Sequence, residues 1–286
     1  MAKRNFLLGR GERLTEAVVV KSGPPNKQHP YSFAEAKSRL VPMLQSAVRT
    51  IDALPDEACP EGQAVASVTL NPEYIAKSYY PLDLFRTAGL TPVGSRPRRI
   101  TPEKRSKDRM PEPTLTTEFF VMANRKAFRA WESSLPAWTD GTQLAKELVT
   151  IETISVPFAD EKIKGTVPRS GDAVFEIVLH ADALAGEQTV LAAFREYMHS
   201  LGVKASLDQR FYAGGLCFLE LDAPAELATE IATFSVVRAL REMPRLRMLR
   251  PTIRTAGLPS EAVQLPMEGS IDPGLRVAIF DGGLPD

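Results

Sequence analysis

The chain has 286 residues, 44% hydrophobic and 24% charged, with 35 basic side chains against 35 acidic ones. That balance gives no global field toward nucleic acid or a membrane, and two cysteines, Cys59 and Cys217, exclude a disulfide framework or a zinc cluster. The first ten residues hold a short apolar run where a secretory leader needs about 7–15, and no stretch approaches the ~18 of a membrane span; the expected location is the cytoplasm.

Residues 1–60 read as an N-terminal extension, with a strand-like stretch at Leu14–Val20 and a helix at about 32–53. Ser32 with Glu35 is a capping-box pair. Phe33, Ala36, Leu40, Leu44, Ala47, Val48 and Ile51 then follow at helical spacing, with Pro42 as an expected kink. Residues 61–158 read as a first α+β unit. Its expected elements are a strand at 63–70, a helix opened by Asn71-Pro72 with Tyr74, Ile75, Tyr79 and Leu82 on one face, and a poor strand at 90–100 broken by Pro92 and Pro97. A basic insertion at 95–113 carries Arg96, Arg98, Arg99, Lys104, Arg105, Lys107 and Arg109. A strand at 114–123, a helix capped by Asn124 and a strand at 148–156 complete the unit.

A charged linker at 159–172 leads to a second unit, 172–250. Ala173–Leu179 alternates as a strand, and Val190, Leu191, Phe194, Tyr197, Met198 and Leu201 make a helical stripe closed by Gly202. Val203–Phe211, a turn at Ala213-Gly-Gly215 and Leu216–Leu221 read as a hairpin. Leu227, Ile231, Phe234, Val237 and Leu240 are expected on one helix ended by Pro244, and Leu246–Leu249 as a closing strand. Cys217, on the hairpin's return strand, reads as a small buried side chain. The order β-α-β-β-α-β is that of a ferredoxin-like unit. The expected fold is therefore α+β, with two tandem ferredoxin-like units after an N-terminal helix, a linker at 251–274, and the first strand of a truncated α/β domain at 275–286.

That last stretch carries the strongest chemical signal. Val277-Ala-Ile-Phe280 is an apolar run that stops at Asp281, and Gly282-Gly283-Leu284 follow. Two glycines let the backbone turn and leave a carboxylate at a strand tip; taken alone, Asp-Gly also marks an ordinary turn. The stretch resembles the aspartate motif of subtilisin-like serine proteases, in which an apolar strand ends in Asp, then Ser or Thr, then Gly and an aliphatic residue. Asp281, Gly283 and Leu284 match, and Gly282 departs from the usual hydroxyl residue. Proteases of this family commonly carry a ferredoxin-like prodomain just before the catalytic domain, which is where the second unit stands.

The resemblance implies that Asp281 is the catalytic aspartate that orients a histidine, the general base for a serine. Aspartate, histidine and serine follow in that chain order, so the other two are expected beyond residue 286. His29, His180 and His199 lack the Gly-Thr that follows the family histidine. The resemblance further implies an intracellular serine endopeptidase whose N-terminal part assists folding or inhibits through a tail at Thr252–Pro259. The implied partners are its own downstream catalytic domain, a peptide or protein substrate and an AAA-type ATPase. Neither cofactor nor metal is implied. Nucleic acid is disfavoured because the basic insertion lacks interleaved aromatics, and Arg238, Arg241, Arg245, Arg247 and Arg250 read as a solvated or docking helix face. The alternative reading is a non-catalytic tandem ferredoxin-like module that binds a ligand or protein, with Asp281 in a turn.

Overall fold

The structure is a computed structural model that describes residues 29–106, 109–181 and 187–243. Contacts within the chain divide it into residues 1–243 and 244–286, and every described residue belongs to the first of these. It is a mixed α+β structure with two four-stranded antiparallel sheets.

Helix α1 (Phe33–Asp52) begins where the sequence places it. The Ser32 amide donates to Glu35 Oε2 at 2.7 Å and the Glu35 amide to Ser32 Oγ at 3.3 Å, so each residue satisfies a backbone group the other leaves open. The helix continues as one element past Pro42, an exposed position. It buries Ala36, Leu40, Leu44, Ala47, Val48 and Ile51.

The first sheet contains β1 (Gln63–Leu70), β2 (Thr91–Ile100), β3 (Thr114–Asn124) and β4 (Ile151–Ser155), in the order β2-β3-β1-β4. Ala64, Ala66, Val68 and Leu70 of β1 join one core with α1, α2 (Leu82–Thr87) and α3 (Arg125–Ser134), whose Trp131 is fully enclosed. Three expectations change here. The helix expected from Asn71 is two 3₁₀ turns followed by the short α2; Tyr74 is buried, but Ile75 and Leu82 are largely exposed. Residues 91–100 form a full ten-residue strand rather than a broken one, because β2 is an edge strand, where a proline leaves no central ladder bond unmade. A short helix, α4 (Gln143–Leu148), occupies what composition marks as loop. Glu147, buried on α4, accepts the Leu84 amide at 2.7 Å, so α4 caps α2 from a distance.

In the expected linker, α5 (Ala159–Lys162) leads to Ile163, which bridges Leu240. The second sheet contains β5 (Asp172–Leu179), β6 (Arg210–Ala213), β7 (Leu216–Pro224) and β8 (Val237–Glu242), in the order β6-β7-β5-β8. Phe175, Ile177 and Leu179 of β5 and Leu219 and Leu221 of β7 share a core with Phe194 and Met198 of α6 (Glu187–Ser200) and Ile231 of α7 (Ala228–Thr233). Cys217 is buried in the same core. Each large apolar side chain enclosed there contributes roughly 1.5–3 kcal/mol from its burial.

Two more corrections fall in this sheet. Val203–Leu207 form no strand, and β6 is confined to Arg210–Ala213. Val237 and Leu240 belong to β8 rather than to a helix, since α7 ends at Thr233 and Phe234 turns to ψ 123°. The closing strand thus lies in 237–242; Leu246–Leu249, and the tail at Thr252–Pro259, lie outside the described residues.

The two sheets share contacts. Ala58, Val65 and Phe120 pack into the second sheet's core. The Ser235 amide donates to the Ala58 carbonyl and its hydroxyl to the Gln63 carbonyl, both at 2.8 Å. Lys162, buried, donates to the carbonyls of Ala232 and Phe234 at 2.9 and 3.1 Å, closing the C-terminal end of α7; burial holds its pKa down to about 8.

Candidate functional site

Asp281 lies outside the described residues, as do Arg245, Arg247 and Arg250. The three histidines occupy separate settings. His29 Nδ1 stands 2.5 Å from the Tyr74 hydroxyl, His199 lies in the last turn of α6, and His180 is buried just beyond β5. Among the described residues no group of three His, Cys, Asp or Glu side chains is placed to hold a metal, and no helix is long and apolar enough to cross a membrane.

Strand alternation gives the second sheet a partly open face opposite its helices. The register aligns Phe211 of β6 with Phe218 of β7, Val178 of β5 and Ala239 of β8 across all four strands. Phe211 is 67% exposed and its ring lies 6.4 Å from that of Phe218. Two residues along, Glu176 faces Glu220 on one side and the Arg241 guanidinium on the other, with which it forms an ion pair. A shallow groove of about 320 Å³ runs beside this row, bounded by Gln209, Phe211, Phe218 and Met243. An apolar row rimmed by charge on a pleated surface suits a protein partner.

Three cations of the basic insertion are paired locally. Lys104 pairs with Glu35 at 3.0 Å, Arg105 with Glu112 at 2.5 Å and Arg109 with Glu73 at 2.9 Å. Arg96 and Arg98 sit on β2, and both bind Glu118, which is 1% exposed. The loop is tied to the sheet through Glu152. That buried carboxylate accepts the Tyr31 hydroxyl at 2.9 Å, Asn71 Nδ2 at 2.8 Å, the Glu103 amide at 2.8 Å and Arg39 at 3.2 Å.

Where the two sheets meet there is a cavity of about 610 Å³, lined by Pro60, Glu61, Val93, Met122, His180 and Val190 among others. Glu61 adopts φ 50°, a conformation non-glycine residues rarely hold. The His180 ring lies tilted at 5.2 Å from that of Phe120 and interacts with the Val93 backbone, while Nδ1 has no hydrogen-bond partner among the described residues. Burial, and secondarily the charge of Arg238, hold the imidazole neutral by lowering its pKa to about 3. The unfolded chain takes up a proton near pH 6.5 and the folded one does not, so this neutral histidine supports the fold above pH 6.5 and loses that support as pH falls toward 3. Urea unfolding at pH 6.5 and 5.0 should show a stability loss about 2 kcal/mol smaller in His180→Gln than in the wild type; identical losses would contradict the neutral, buried state.

The sequence gives no sign of this junction. His180 reads as a strand end and Arg238 as part of a solvated helix face, and only the observed register of β8 brings them together. No protein-family model matches the chain, and no curated protein matches it.

Proposed function

We propose that the chain is the N-terminal, prodomain-like regulatory portion of an intracellular subtilisin-like serine endopeptidase. On this reading Asp281 is the aspartate of an Asp-His-Ser triad, and the chain acts by assisting the folding of its own downstream catalytic domain or inhibiting it. Each described sheet is antiparallel, with its strands in the relative order second, third, first, fourth, which supports two tandem ferredoxin-like units. The observation that carries the reading is the second sheet itself. Its two helices lie on one face, its other face presents the Phe211–Phe218–Val178–Ala239 row, and the Val277–Leu284 motif follows in the chain.

The row is where the catalytic domain docks. Docking of an apolar row accounts for Phe211, an exposed aromatic that would otherwise stay in water. Adding the 286-residue chain to a separately produced catalytic domain that carries its own copy of residues 275 onward is expected to slow peptide cleavage, with Phe211→Asp weakening the inhibition at least tenfold at unchanged circular dichroism. Absence of both binding and slower cleavage with the wild-type chain would refute the proposal. A peptide or protein substrate and an AAA-type ATPase partner belong to the same reading.

A further inference from the structure

We propose that Arg238 of β8, with Arg96 of β2 and Lys164 beside it, forms a seat for a phosphate dianion, free or carried on a phosphomonoester. The seat lies where the edge strands of the two sheets approach each other.

Arg238 is held in place without being neutralised. Its guanidinium carbon lies 4.6 Å from the centroid of Phe120, and Arg96 approaches the same ring at 5.2 Å. Nη2 donates to the Ser95 carbonyl at 3.3 Å. A guanidinium has five N–H donors, and among the described residues no carboxylate pairs with this one.

The edge strand is shaped around this side chain. The register of β2 with β3 shifts between Pro92 and Gly94, and Gly94 adopts φ 148°. A Cβ there would stand 3.0 Å from Arg238 Nη1, so the guanidinium fills space that a side chain would take.

The surrounding charges leave the seat positive. Arg96 and Arg98 both spend their pairing on Glu118. Glu161 lies 3.9 Å from Arg98 and also accepts the Phe158 amide. Lys164 is anchored by its backbone amide to the Leu240 carbonyl, two residues from Arg238 along β8, and its ammonium reaches only the Glu161 carbonyl among the described groups. Lys162 lies behind, committed to two carbonyls. Arg96, Arg98, Lys164 and Arg238 against Glu118 and Glu161 leave two positive charges without a counterpart. Arg238 and Lys164 both have lowered pKa values, from burial first and Arg96 second, as expected of cations crowded together. A phosphate carries about −1.5 to −2 charge near neutral pH and at least three acceptor oxygens. It matches donors arriving from three segments better than the two oxygens of a carboxylate do.

The test is titration of the full 286-residue chain with inorganic phosphate and with phenyl phosphate, against sodium chloride at equal ionic strength. Phosphate in either form should raise the unfolding midpoint by about 2 °C or more beyond chloride. By calorimetry the affinity should fall at least tenfold in Arg238→Gln and measurably in Lys164→Gln, while Arg99→Gln, an exposed neighbour on β2, should keep it. Tighter binding of phenyl phosphate would assign the seat to a phosphomonoester. No shift beyond chloride with either probe, or a shift retained in Arg238→Gln, overturns the proposal. If Arg238→Gln does not fold, the exposed Lys164→Gln decides, and unchanged affinity there overturns it equally.

Discussion

Glu152→Ala is expected to destabilise the described fold by about 3–5 kcal/mol, the usual consequence of removing one partner of a buried ion pair. Glu152 is 2% exposed and lies on β4, an edge strand of the first sheet. Its two oxygens gather groups from four parts of the chain: Tyr31 ahead of α1, Arg39 on α1, Asn71 after β1 and the Glu103 amide in the basic insertion. Taking the carboxylate away leaves the Tyr31 hydroxyl and the Glu103 backbone N–H without their acceptor, and the Asn71 amide with the Lys104 carbonyl alone. It also leaves Arg39, whose side chain is 15% exposed, with the solvent-facing Glu103 as its one carboxylate partner among the described residues, beside the backbone carbonyl of residue 152. Each buried donor left unsatisfied costs about 1–3 kcal/mol. Tyr31→Phe removes a single donor and should cost about 1 kcal/mol. Urea denaturation of the three proteins checks this; a loss below 1 kcal/mol for Glu152→Ala would mean that the hub does not hold the insertion on the sheet.

Much of this architecture was legible where local chemistry and tertiary packing agree. The Ser32–Glu35 capping box, the α1 stripe and the alternation of Ala173–Leu179 each announce the element that forms. The misreadings are equally specific. Phe234, Val237 and Leu240 are spaced by three, which suits a helix. Ser235, however, is drawn into hydrogen bonds with Ala58 and Gln63, which turns the backbone out of α7 and into β8. No local propensity reports a bond to a partner 172 residues away. Pro92 and Pro97 argue against a strand unless the strand is known to be an edge, and edge position is a property of the sheet. The Arg238 seat was hidden for the same reason, since placing that arginine on a helix face moves it away from Phe120 and Gly94. The Asp281 motif stands in the opposite situation. Its residues are legible in the sequence alone and lie outside the described residues.

Asp281→Asn, in the protein that joins this chain to its proposed histidine and serine, is expected to lower kcat for peptide hydrolysis about 10⁴-fold. That is the magnitude found when the aspartate of a serine-protease triad becomes an amide. The substitution keeps the shape of the side chain but turns one of its two accepting oxygens into a donating NH2. The histidine then adopts the wrong tautomer and no longer takes the serine proton. On the proposed reading the aspartate orients the histidine and does not touch substrate, so KM should stay within about twofold of wild type, the pattern of an interaction made only in the transition state. Gly282 supplies no hydroxyl to the aspartate, so Gly282→Ser, which restores the commoner family residue, should leave activity at or above wild type.

The most direct measurement is the steady-state hydrolysis of an unstructured peptide by that protein and its Asp281→Asn variant under one set of conditions. The account predicts measurable turnover in the first and a roughly 10⁴-fold lower kcat at similar KM in the second. Absence of peptide hydrolysis in the wild type, or equal kcat in the two proteins, would contradict it.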